Sequence, residues 1–111
     1  MTTITNEYMQ EMMTKTKNYN LVILKKGLNY DQPDARSFIW EHGRRNFQLR
    51  ADGKLSIVCP VTDSSDVRGV GIFNVDELEL KQIMDDDPGV KAGIFVYEIH
   101  SMRSFPGDQL P

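Results

Sequence analysis

The sequence predicts an α+β domain of ferredoxin-like architecture: strands and helices in the order βαββαβ, a four-stranded antiparallel sheet and two helices on one sheet face. A helical segment precedes it. Three observations predict this fold. Leu21-Val22-Ile23-Leu24 is an unbroken apolar run bounded by polar residues, the pattern of a short buried strand. Two stretches, Asp34 to Ala51 and the one opening at Asp76, carry apolar residues at helical spacing. From Asp85 to His100 the chain stops a helix at Pro88, reverses around Gly89 and Gly93, and enters an apolar run, Ile94 to Ile99, that reads as a central strand.

The elements follow in order. Residues 1–18 read as an appendage in which Thr5 caps a helix and Ile4, Tyr8 and Met12 share one stripe, with Met9 and Met13 beside it. Such a helix packs on its own domain or on a sister subunit; a frayed tail is the alternative. The domain proper spans residues 19–111, beginning with a strand from Tyr19 to Lys26 that Gly27 ends. In the first core helix Ala35, Phe38, Ile39, His42, Asn46 and Leu49 fall in one stripe, so His42 points the way the core residues do. Trp40 and Phe47 lie on the opposite side, beside Arg36, Gly43 and Arg44, where an aromatic patch calls for cover by the N-terminal segment or another subunit. A second strand runs from Leu55 to Cys59 and stops at Pro60, a polar loop holds Asp63 and Asp66, and a third strand spans Arg68 to Asn74. Asp76 with Glu79 forms a capping box, Val75 and Leu80 a hydrophobic staple, and Leu80, Ile83 and Met84 the buried stripe of the second core helix. Asp85, Asp86 and Asp87 end that helix against its dipole, with solvation expected for the first two.

Composition narrows the function classes. At 111 residues the chain suits one domain, and a domain this small gains from a homodimer or higher homo-oligomer that extends its core. A net charge of -3 argues against nucleic acid as a partner. A single cysteine, Cys59, forms no internal disulfide and suits a reducing compartment. No apolar run spans a bilayer and no signal peptide is visible, so a cytoplasmic protein without a membrane partner is expected. Two separated histidines and one cysteine give no metal-ligand spacing. Gly69 and Gly71 lack the third glycine and the helix of a dinucleotide motif, so no cofactor is expected.

Two blocks carry a family resemblance. Asp87-Pro88-Gly89-Val90-Lys91-Ala92-Gly93-Ile94-Phe95 followed by Glu98-Ile99-His100, and Arg68-Gly69-Val70-Gly71-Ile72-Phe73, resemble the YCII-related domain family over roughly Tyr19 to Pro111. The resemblance implies a dimeric α/β barrel, within a superfamily that includes muconolactone-isomerase-like and dehalogenating enzymes. It also implies a cavity lined by a histidine–aspartate pair, here His42 and Asp87. The chain departs from the family at Val58-Cys59, where Ala-Gly is common, and at Gly43-Arg44-Arg45, which is more basic than usual.

Histidine is the side chain best suited to proton transfer near neutral pH, and an aspartate on its second nitrogen fixes the tautomer and stabilises the imidazolium. Such a pair serves an isomerase or lyase acting on a small organic acid or lactone. Arg45 or Arg68 then anchors a substrate carboxylate, with Asp63 as a further substrate-binding candidate. Bland readings stand beside these: His42 as a structural histidine bonded to backbone, and Asp87 as a cap on the turn before Pro88. The alternative at the level of the whole protein is a non-catalytic dimeric module that binds a small ligand or a partner protein through Trp40, Phe47 and the N-terminal helix.

Overall fold

Local capping sets the helices. In the computed structural model, which describes residues 2–111, Thr5 accepts a hydrogen bond from the Tyr8 amide and starts helix α1, Asn6–Met13. Strand β1, Lys17–Lys26, begins two residues ahead of the predicted Tyr19, because Lys17 and Asn18 pair with Ser104 and Arg103. Helix α2, Ala35–Ala51, leads to β2, Leu55–Pro60, and β3, Val67–Phe73. Asp76 accepts from the Glu79 amide at 2.8 Å and starts α3, Glu77–Asp85, as the capping box predicts.

The turn at Pro88 differs from its reading as a simple stop and reversal. It is a single helical turn, α4, Pro88–Lys91, with proline at its first position, where a missing amide hydrogen costs nothing. Gly93, at φ 75°, turns the chain out of it into β4, Phe95–Ser104. Gly89 is needed for a different reason: a Cβ there would lie 2.6 Å from the Phe95 ring. Gly89→Ala should therefore displace Phe95 and lower stability by about 1–3 kcal/mol, a loss that thermal melting would register.

The four strands form one antiparallel sheet in the order β2-β3-β1-β4, the ferredoxin-like arrangement. β4 is an edge strand, not the predicted central one. Its apolar run is explained by its start: Ile94 and Phe95 are buried, whereas Val96, Glu98 and His100 face solvent. Glu98 instead meets Lys25 across the ladder at 2.6 Å, and this bond, with a further one from His100, holds its carboxyl below the usual range.

The core lies between the sheet and the helices. Val22, Leu24, Leu55 and Phe73 from the sheet meet Leu49 of α2 and Leu80, Ile83 and Met84 of α3. The other sheet face carries Leu21 and Ile23 of β1 and Val70 and Ile72 of β3, all half-buried and covered by no helix of the chain. Asp85 and Asp86 are not left to solvent alone. Lys81 lies 3.6 Å from Asp85, Lys91 4.0 Å from Asp86, and the Tyr97 hydroxyl donates to Asp85 at 2.6 Å. Burial and that bond push the Tyr97 phenol up to about 12.

Candidate active site

Helix α2 and the start of α4 pack against each other, and the contact brings together two residues 45 positions apart. His42 sits about two turns into α2, on its core face. Asp87 is the N-cap of α4 and is only 2% exposed. Nδ1 of His42 lies 2.8 Å from Oδ1 of Asp87. Oδ2 of Asp87 accepts from the amides of Gly89 at 3.0 Å and Val90 at 3.2 Å.

Every contact of Asp87 is one that a carboxylate accepts, so the proton between the pair resides on Nδ1 of His42. Nε2 is then an acceptor, and the side-chain amide of Asn46, one turn further along α2, donates to it at 3.2 Å. The Phe95 ring packs against the imidazole with centroids 4.9 Å apart. The imidazole is thus held in one tautomer and one orientation.

His42 and Asn46 form part of the wall of a cavity of about 320 Å³ between α2 and the sheet. The rest of the wall is mainly apolar: Val22, Leu24, Ile39, Leu55, Phe73, Met84 and Phe95 among others. Val58 and Cys59 also line it. Asp87 lies behind the histidine rather than on the wall.

Arg68 lines the same cavity. Its Nη2 donates to the carbonyls of Asp63 at 2.8 Å and Ser65 at 2.7 Å. Its Nε is buried without a hydrogen-bond partner among the described residues. Arg45 is placed elsewhere: Nη1 donates to the Ile83 carbonyl at 2.6 Å and stands 3.8 Å from Asp87 Oδ1, bracing α2 against α3 outside the cavity wall. The Asp63 side chain is also outside it, accepting from the Ser65 hydroxyl at 2.6 Å; that bond leads the causes holding its carboxyl below the usual range. Of the residues the sequence singles out, His42 and Asp87 come together and Arg68 borders the cavity from β3 with its guanidinium on loop carbonyls, while Arg45 and Asp63 do not reach it.

Asn46 is the member that chemical reasoning on the sequence missed. It stands four residues after His42 on the same stripe, a spacing that already placed the two side chains together.

The fold is shared with a solved structure. The chain has the fold of a known dehydrochlorinase. That protein is the 5-chloro-2-hydroxyhydroquinone dehydrochlorinase of Burkholderia phenoliruptrix AC1100, in complex with 2,5-dihydroxybenzoquinone. The match covers 73% of this chain and 90% of that one at 18% identity, with a TM-score of 0.50, a likeness of fold. No family model matches the chain, and no curated protein matches it. No helix of the described residues is long and apolar enough to cross a membrane.

Proposed function

We propose that the protein is a small enzyme of the isomerase or lyase type, in which His42 moves a proton on a single-ring organic acid, lactone or hydroxylated quinone. One observation carries this reading: an imidazole oriented by a buried carboxylate at 2.8 Å forms part of the wall of an apolar cavity. At about 320 Å³ the cavity lies at the lower end of the ~300–1,000 Å³ range of small-molecule sites, which suits one ring.

Nε2 of His42 takes a proton from the carbon beside a carbonyl, and Asp87 stabilises the imidazolium that results. The Asn46 amide, released from Nε2, donates to the oxygen on which negative charge builds. The imidazolium then returns the proton to another carbon, an isomerisation, or a leaving group departs from the adjacent carbon, an elimination. The neighbour's name denotes loss of hydrogen chloride, and its bound quinone is one ring bearing hydroxyl groups. Both support the elimination route and this size of substrate.

The reading is tested by incubating the protein in deuterated water with lactones and hydroxylated benzoquinones. Deuterium at the ring carbon, or loss of the leaving group, is expected. No exchange and no turnover across these compounds would overturn the proposal.

The uncovered sheet face, with Leu21, Ile23, Val70 and Ile72, is the surface through which we propose two copies pair as a homodimer. Light scattering at micromolar protein checks this, and a strict monomer removes it.

A further inference from the structure

A second apolar surface lies on the side of α2 away from the sheet. Trp40 is 70% exposed and Phe47 68% exposed. Between them sits Gly43, and a shallow groove runs past Trp40, Gly43 and Phe47, flanked by Arg36 and Arg44. A side chain at Gly43 would meet nothing within 4 Å, so packing inside the chain does not demand a glycine there. Glycine in a helix interior nevertheless costs about 1 kcal/mol relative to alanine. What its presence does is leave a notch between two aromatic rings.

The same chain holds an unpartnered element that matches the notch. Helix α1 buries no residue and packs extensively on no other element of its own chain. It projects from a molecule 55 Å long and 29 Å by 21 Å in cross-section. Tyr8, Met9 and Met13 are each about half exposed. A helix of eight residues is well below the ~12–15 that hold helical structure alone in water, so α1 needs a surface to lie on. Methionine side chains bend to fit an irregular surface and make favourable sulfur contacts with aromatic rings. The charges are also complementary: Arg44 pairs with Glu41 at 3.1 Å and Glu11 stands 4.0 Å from Lys15, which leaves Glu7 on α1 and Arg36 beside the groove without an ion pair among the described residues.

We propose that α1 of one copy of this chain seats its methionine stripe in the Trp40–Gly43–Phe47 groove of a second copy, and that the second copy returns the contact. The exchange is reciprocal, so it closes with two identical contacts per pair and leaves neither groove open. It uses a face of the domain different from the uncovered sheet face, and it does not depend on the chemistry at His42.

Trp40 is the single tryptophan of the chain, so its emission reports on this groove alone. The intact protein should show emission that moves to the blue as concentration rises from nanomolar to micromolar. Met9→Glu, on the projecting helix, should raise the midpoint of that shift about tenfold or more, or abolish it. Phe47→Ala should do the same from the other side of the contact, with far-ultraviolet circular dichroism showing that both variants keep the fold. Emission typical of a solvated indole at every concentration overturns the proposal. So does a blue emission that is independent of concentration and unchanged in Met9→Glu, because Trp40 is then covered without α1. A shift that survives Met9→Glu overturns it too, because a different surface then covers Trp40.

Discussion

His42→Gln should lower kcat about 10²- to 10⁴-fold, the contribution typical of a positioned general base. Glutamine keeps a side chain of similar reach whose amide donates to Asp87 Oδ1 in place of the Nδ1–H, so the buried carboxylate is not stranded. What is lost is the lone pair at Nε2, the atom that accepts from Asn46 and that, in the mechanism we propose, takes the substrate's proton. The structural reading of His42 makes the opposite forecast. If the ring only fills space and ties α2 to α4, glutamine should lower the melting temperature and leave kcat/KM of the folded fraction intact. Measured together, turnover and thermal melting separate the two roles. Unchanged turnover on a substrate found by deuterium exchange would falsify His42 as the base.

Much of this arrangement was legible in the sequence, for reasons that differ by residue. The orientation of His42 followed from helical periodicity, which is local. The stop of α3 and the strand after it followed from Pro88 and Gly93, also local. The meeting of His42 with Asp87 was not legible from periodicity or spacing. It depends on how α2 and α4 pack, and only the family resemblance pointed to it. Asp87 shows why the bland and the functional readings of a residue need not compete: Oδ2 caps α4 while Oδ1 holds the histidine. The edge position of β4 was misread because Ile94 and Phe95, buried beneath the helices, look like the start of a strand flanked on both sides. Arginines were the least legible of all. Arg45 and Arg68 are alike in sequence terms, yet one braces α3 through the Ile83 carbonyl and the other borders the cavity, because a long side chain is placed by distant backbone acceptors.

Asp87 carries the second large effect, and two substitutions there should divide it. Asp87→Ala removes the cap of α4 and strands three buried or half-buried donors: the Gly89 and Val90 amides and Nδ1–H of His42. Breaking a buried pair by removing one partner costs about 3–5 kcal/mol, a large part of the ~5–15 kcal/mol that holds a domain folded. At about 4–8 °C per kcal/mol for a domain near this size, the melting temperature should fall by about 15 °C or more. Asp87→Asn is the gentler change. Its carbonyl oxygen still caps α4, so the loss of stability should be well under half that of alanine. Its amide, however, then faces His42 as a donor and pulls the imidazole into the other tautomer, with the proton on Nε2 and no lone pair for the substrate. Turnover of the folded Asn variant should drop about 10²- to 10⁴-fold, as in His42→Gln, and the two losses should not add when combined, since both remove one base. An Asn variant that melts near the wild type and keeps its full turnover would mean that the carboxylate serves the α4 turn alone and that the imidazole acts, if at all, without it.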